Sequence, residues 1–289
     1  MQNRILVRRS GALGDVLSVT PVLRRFRDKY GPSFKIVVET HCPQALEGNP
    51  FVNEVYAPGQ APGPFAISVN LDLAYEKRPT HHVVDAYMIE AFGNSSYDHK
   101  RVIFPIKPPA PRYLVEPDRV ITIHAARSWP SRTMPDQFWR DTVALLRERE
   151  FNVLFLGGPN DFAMGPEPGV GSAVGKTSLT ETVNLISNSL CLLCSDSALL
   201  HLAGATDTPI VPLFTSVRAQ YRIPYRHKVK GWKVTPIEAD VPCQGCLETV
   251  PAPATNLSCR YTTNACVRSI LPERVVETAV EMAAQRWPS

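Results

Sequence analysis

No stretch of this 289-residue sequence approaches the about 18–20 consecutive apolar residues a membrane-spanning helix requires. The first residues run directly into a strand pattern with no extended apolar core, so no secretory leader is expected. Internal repeats and low-complexity tracts are also missing. The net charge of +4 is mild, and no dense basic stripe with interleaved aromatics is present; both argue against a nucleic-acid partner. Seven cysteines, an odd number, fit a reducing compartment better than a disulfide scaffold. Two nucleotide signatures are incomplete. Gly11 and Gly14 lack the first glycine of a dinucleotide fingerprint, which makes a nicotinamide dehydrogenase a weak rival. Gly175-Lys176-Thr177 has Val170 where a P-loop needs its first glycine, and it follows an irregular loop rather than a strand.

What remains is a cytoplasmic globular protein, 44% apolar and 20% charged, long enough for two medium domains. Strand and helix patterns alternate along both halves. Arg4–Arg8, Phe34–Glu39, Val52–Tyr56 and Phe65–Leu71 read as strands. The segment after Asp15 reads as a helix that Pro21 kinks or opens, and His81–Phe92 reads as a second helix. Pro105 to Pro117 holds five prolines and suits a stiff linker. Beyond it, strands are expected at Arg119–His124, Asn152–Leu156, Cys191–Ser195 and Ile210–Phe214. Helices are expected at Asp136–Arg149, from the capping box Ser178-Leu179-Thr180-Glu181 to Asn188, at Ser197–Ala205 and at Pro272–Arg286. Pro159 to Val174 reads as a long loop. The pattern predicts α/β architecture with two doubly wound domains.

Two strand-to-helix turns stand out: Arg9-Ser10-Gly11-Ala12-Leu13-Gly14-Asp15 and Cys194-Ser195-Asp196-Ser197-Ala198. A helix start offers unpaired N–H groups and a partial positive charge to an anion. Two such turns on two domains suit a cleft enzyme, one side holding an acceptor and the other a nucleotide diphosphate. Gly11 and Gly14 allow close backbone approach. Asp15 and Asp196 each have a plainer reading as helix caps, His201 as a packed helix histidine, and Arg132 as a solvated surface arginine.

Cys243-x-x-Cys246 with Cys259 and Cys266 has the make-up of a four-thiolate metal knuckle, structural because four protein ligands leave no open position. Free thiols or a disulfide pair are the alternatives. Cys191 and Cys194, three apart on a strand, point to opposite faces and belong to the core; Cys42 stands alone. Asn70, Asp72, Tyr75, Glu76, His81, His82, Asp85 and Tyr87 form a polar segment, either an acceptor surface or a solvated face. Arg8, Arg9, Arg24, Arg25, Arg27 and Lys29 give the first unit a basic flank that would suit an anionic lipid-linked acceptor at a membrane surface.

Taken in order, several pieces resemble glycosyltransferase family 9, the heptosyltransferase family. They are Arg9 to Leu17, Glu47-Gly48-Asn49-Pro50, Ala125 to Arg132 leading into Pro135, Ser178 to Glu181, Ser195 to Ala203, and the cysteine-bearing tail through Ile270 to Glu273. Arg132 stands where the family usually has Lys, and Ala198 where it has Gly. The resemblance implies a GT-B architecture, two Rossmann-like domains facing an interdomain cleft. An acceptor-binding domain would span 1–108, a Pro-rich linker 109–118, and a nucleotide-sugar-binding domain 119–289, carrying the four-Cys loop and the last helix.

The implied activity is inverting, metal-independent sugar transfer, most specifically of heptose from ADP-heptose, to a hydroxyl of lipopolysaccharide core or a related glycan or protein. Asp15 would be the catalytic base, with Gly11, Ala12 and Gly14 shaping its turn. Ser128, Arg132, Thr177, Asp196, Ser197, Ala198 and His201 would hold the donor: Arg132 and the Ser197–Ala198 amides the diphosphate, Asp196 the sugar, the Thr177 loop the base. No cofactor is implied for catalysis, and related transferases that modify autotransporter proteins carry iron on a similar cysteine finger, so the four cysteines would hold zinc or iron. Implied partners are the nucleotide sugar and a lipid- or protein-linked acceptor met at the inner membrane surface. The alternative is a degenerate transferase fold that binds a nucleotide sugar without turnover.

Overall fold

The computed structural model describes residues 3–105, 119–226, 234–248, 259 and 261–286. The stretch read as the linker, 109–118, lies outside them. In the first half, β1 (Arg4–Arg8), α1 (Leu13–Tyr30), β2 (Lys35–Glu39), β3 (Glu54–Tyr56), β4 (Ile67–Asn70) and α2 (Val83–Phe92) follow in order. The strands form one parallel sheet, β3-β2-β1-β4. The second half contains β5 (Val120–His124), α3 (Asp136–Glu148), β6 (Asn152–Phe155), β7 (Val170–Ser172), α4 (Leu179–Ser187) and β8 (Cys191–Ser195). It continues with α5 (Ala198–Ala203), β9 (Ile210–Phe214), β10 (Ile237–Glu238), α6 (Ala265–Arg268) and α7 (Pro272–Arg286). Its parallel sheet runs β10-β9-β8-β5-β6-β7.

Each sheet changes direction beside its first strand: β1 lies between β2 and β4, and β5 between β6 and β8. Open parallel sheets place ligands outside the carboxyl ends of strands at such switch points. Both turns singled out in the sequence leave strands there, after β1 and after β8.

The second sheet is buried on both faces. Cys191 and Leu193 of β8 join the core under α3 and α7, while Leu192 and Cys194 join the one that includes Leu199 and Leu200 of α5. The third core lies in the first half but takes in Val183 of α4 and Leu202 of α5, so the halves share apolar packing where α5 meets α1. Arg101 strengthens this junction. Its guanidinium donates to the carbonyls of Gly204, Ala205 and Thr206 just past α5, and to Asp207, satisfying acceptors that a helix end leaves open.

Several local expectations change. α1 begins at Leu13, so Asp15 lies in its first turn, and Pro21 sits inside it. A proline there cannot donate to the carbonyl four residues back; the hydroxyl of Thr20 donates to that Leu17 carbonyl instead, at 2.8 Å. The loop from Pro159 contains β7, which exists through its pairing with β6, Val153 opposite Val170. The basic flank is largely consumed within the fold. Arg8 pairs with Glu39, Arg25 binds Asn94 and lies over Phe92, Arg27 binds Phe34 and Asn53, and Arg9 is buried.

Candidate functional site

A cavity of about 410 Å³ lies between the two switch points, within the range that suits a small-molecule ligand. Ala12, Gly14, Asp15 and Tyr75 line one side. His124, Ser128, Trp129, Arg132, Asp161, Asp196, Ser197, Ala198 and His201 line the other, with Arg222. The two helix starts touch. A Cβ on Gly14 would lie 2.8 Å from His201 Cδ2 and 3.2 Å from Ala198 Cα, so only glycine lets α1 approach α5 this closely.

Asp15 is braced by the turn that precedes it. Its Oδ2 accepts from the Ala12 amide at 3.1 Å and from Arg9 Nη2 at 2.5 Å. Arg9 lies between the rings of Tyr75 and Tyr87 and within 4.0 Å of Asp72 and Glu76. Burial would loosen its proton, but the tyrosines and Asp15 outweigh that and hold it more tightly than usual. Burial pushes the Glu76 carboxyl up, against the pull of Arg9. Arg9 is therefore a fixed cation behind Asp15.

The opposite wall is built on a buried ion pair. Arg132 Nη1 donates to Asp196 Oδ2 at 2.5 Å and to the Asp196 carbonyl at 3.0 Å. The guanidinium lies 3.6 Å over the Trp129 ring, and its Nε is buried without a hydrogen-bond partner. Burial raises the Asp196 carboxyl, yet Arg132, Arg222 and His201 pull it below its usual range. Asp196 thus faces Arg132, so the two residues expected to act separately on sugar and diphosphate form one unit. Burial lowers the His201 pKa, while Asp196 and Asp15 oppose that. The His201 Nδ1 lies 3.3 Å from Ser18 Oγ of α1.

Three charged or titratable wall residues escaped the sequence reading: His124, Asp161 and Arg222. His124, at the end of β5, places Nδ1 2.8 Å from Ser197 Oγ and Nε2 3.0 Å from Asp161 Oδ2. The one available signal was position: His124 closes the central strand of its sheet. Arg222 was also missed; it lies over the Tyr75 ring at 4.5 Å and so bridges the two halves.

Other expected residues stand apart. Gly11 and Thr177 do not line the cavity, and the Thr177 hydroxyl meets Thr182 at 2.9 Å. Members of the polar segment bind the second half instead of forming an open acceptor face: His82 Nε2 reaches the Ile223 carbonyl and Asp85 accepts from the Tyr225 hydroxyl. The sulfurs of Cys243, Cys246 and Cys259 lie near enough to raise the Cys266 thiol, after burial, which is the larger cause. The Cys259 thiol is lowered by the amides of Asn264, Tyr261 and Thr263. Among the described residues, no three His, Cys, Asp or Glu side chains are gathered tightly enough to hold a metal ion. Nor is any described helix long and apolar enough to cross a membrane.

Solved structures share this fold. A glycosyltransferase family 9 protein from Veillonella parvula is 18% identical, with a TM-score of 0.73 over 98% of each chain. The dodecameric iron-containing heptosyltransferase TibC of enterotoxigenic Escherichia coli, in complex with ADP-D-beta-D-heptose, is 15% identical. Its TM-score is 0.75 over 99% of this chain and 77% of that one. The fold is GT-B, with two Rossmann-like halves about a cleft. In sequence, lipooligosaccharide heptosyltransferase 2 of Haemophilus influenzae is 27% identical over 109 residues, 34% of this chain. The match spans only 32% of that relative's length. The profile of "Glycosyltransferase family 9 (heptosyltransferase)" matches residues 61–249, starting after the Asp15 turn and taking in β5, the Arg132 turn and the Asp196–His201 segment. With well over half of its length matched and its two sheets meeting at one cavity, the chain belongs to glycosyltransferase family 9.

Proposed function

We propose that this chain is an inverting glycosyltransferase that moves heptose from ADP-heptose to a hydroxyl on a lipopolysaccharide core, or on a related glycan or protein. One observation carries the reading: Asp15 and the Asp196–Ser197 turn, on different halves, line a single cavity. The family assignment and the ADP-heptose bound by the TibC neighbour support the choice of donor.

In this reading Asp15 takes the proton of the acceptor hydroxyl as its oxygen attacks the anomeric carbon from the face opposite the diphosphate. Arg9 holds that carboxylate in place through its bond to Oδ2. Negative charge grows on the leaving diphosphate, and preorganised donors serve it best. The unpartnered Nε of Arg132 is one such donor; the other edge of the guanidinium is fixed by Asp196. His201 and Gly14 seal the floor between the halves, which keeps water from competing for the donor. The domain limits at 108 and 119, a location on the cytoplasmic side, and an acceptor met at the inner membrane surface belong to the same reading.

A structural zinc or iron on Cys243, Cys246, Cys259 and Cys266 is proposed outside the chemistry, and it requires these thiols to draw closer together than they stand in this structure. The amides gathered around Cys259 favour a thiolate there. Metal analysis of purified protein tests this; one equivalent that leaves with a chelator while transfer continues is the expected result.

Incubation with ADP-heptose and a heptose-deficient lipopolysaccharide acceptor, following ADP release and product mass, tests the main proposal. Product with inverted anomeric configuration is expected without added metal. Donor binding with neither transfer nor hydrolysis would favour a binding module instead.

A further inference from the structure

Ser197, His124 and Asp161 form a continuous hydrogen-bonded chain in the donor wall, from the turn between β8 and α5, from β5 and from the loop after β6. Its proton arrangement can be worked out from its partners. The Asp161 carboxylate accepts from the amides of Arg127 and Gly158, each at 2.8 Å, and from His124 Nε2 at 3.0 Å. Those donors hold the carboxyl below its usual range despite partial burial. An ionised carboxylate only accepts, so His124 Nε2 carries a hydrogen. With the ring neutral, Nδ1 is an acceptor, and the Ser197 hydroxyl must spend its hydrogen on it across 2.8 Å. The serine oxygen then presents only lone pairs to the cavity, which suits no anion. With the ring cationic, Nδ1 donates to Ser197 Oγ, and the hydroxyl hydrogen is freed to turn toward a bound phosphate oxygen.

Space for this chain is provided by Gly157, at φ 146°. A Cβ there would come 2.5 Å from Asp161 Oδ2 and 3.0 Å from His124 Cδ2. The surrounding charges leave a cation useful. Arg132 is neutralised by Asp196 and Arg9 by Asp15, burial disfavours a charged His201, and among the charged cavity residues Asp161 offsets the positive charge of Arg222 while His124 is neutral, which leaves nothing against a diphosphate's two negative charges. Arg127, also beside Asp161, is paired with Asp136.

We propose that the Asp161–His124–Ser197 chain couples donor binding to proton uptake: as the nucleotide-sugar diphosphate enters, His124 Nδ1 takes one proton from solvent and Ser197 turns its hydroxyl from the wall to the phosphate. No covalent bond to carbon or phosphorus changes in this step, and the proton returns to solvent when the nucleotide diphosphate leaves. His124 is a positioning residue acting through Ser197. The inference rests on the donor reading above and adds to it a pH dependence located on one ring.

Titration calorimetry with ADP-heptose, without acceptor, in buffers of different ionisation enthalpy tests this. The internal diphosphate of that probe binds no proton near neutrality. Uptake of up to one proton is expected on the alkaline side of the binding profile, with Kd rising up to tenfold per pH unit there. His124→Gln keeps a polar side chain but cannot become a cation; it should bind without uptake and with a flat pH profile. Asp161→Asn removes the charge behind the ring and should move the rise in Kd to lower pH. Binding to the unaltered protein without proton exchange overturns the proposal, as does unchanged uptake in His124→Gln or an unmoved profile in Asp161→Asn. Absence of ADP-heptose binding at every pH overturns the donor reading itself.

Discussion

Arg132 is tied to Asp196 twice through one nitrogen, at 2.5 Å to the carboxylate and 3.0 Å to the same residue's carbonyl. The pair fixes the turn between β8 and α5 to the loop after β5, so this wall of the cavity has one shape. Both side chains are at least 85% shielded. Removing one partner strands the other charge out of water, which costs about 3–5 kcal/mol. Arg132→Ala should therefore lower the denaturant midpoint markedly as well as weaken transfer. Asp196→Asn leaves the Arg132 guanidinium without a counter-charge but keeps an oxygen that accepts from it, so it should lower stability less. Equal midpoints for Arg132→Ala and the parent protein would show that the pair is not a support of the wall.

How much of this was legible in the sequence depends on range. The capping box Ser178–Glu181 is written in four residues, and the observed bonds, Glu181 N to Ser178 Oγ and Ser178 N to Glu181 Oε2, follow it. The two turns were legible because each is a local event between a strand and a helix. β7 was not, since Val170-Gly171-Ser172 becomes a strand only by pairing with β6. Arg9 read as one charge in a basic flank because Asp72, Glu76 and Tyr87, which bury and balance it, lie more than 60 residues away in sequence. His124 and Asp161 each look ordinary alone; sheet topology makes them neighbours.

At Gly14 the two halves approach too closely for an added side chain. A methyl group there would press on His201 Cδ2 at 2.8 Å and on the α5 backbone at 3.2 Å. The backbone contact cannot swing away as a flexible side chain would. Overpacking of this kind costs about 1–3 kcal/mol. Gly14→Ala should destabilise by about that amount and displace His201, raising KM for the donor more than it lowers kcat. Steady-state kinetics with a thermal melt would check it; unchanged KM would mean that the two helix starts part without consequence for the donor.

His82 supplies a pH dependence of stability. It caps α2 and binds the Ile223 carbonyl at 2.8 Å, joining the halves away from the cavity. Burial pushes its pKa down to about 4, only partly opposed by the Ile223 carbonyl and Asp85. Unfolded, the ring titrates near the ordinary value of about 6.5. A folded value below the unfolded one means that the unfolded chain takes up the proton first. The stabilisation is therefore whole above about pH 6.5 and declines as pH falls toward 4, by about 3 kcal/mol at most. His82→Gln should flatten the decline between pH 6.5 and 4. A decline of the same size in that variant would assign it to other groups.

Asp15 offers the sharpest test of the chemistry because its surroundings separate charge from shape. Asparagine at this position still accepts from the Ala12 amide and Arg9, through its carbonyl oxygen, so the turn should survive. It loses the capacity to take a proton. Removing a positioned general base costs about 10²–10⁴ in rate, so kcat for Asp15→Asn should fall by that factor while ADP affinity stays within about twofold. Arg9→Lys makes the complementary change: the base remains, but a point charge replaces the two-edged guanidinium that reaches Oδ2 and lies between Tyr75 and Tyr87. That variant should retain transfer at a reduced kcat, since the carboxylate is then less firmly held in place. Near-normal turnover by Asp15→Asn would remove this carboxylate from the proton-accepting role, whatever the behaviour of Arg9→Lys.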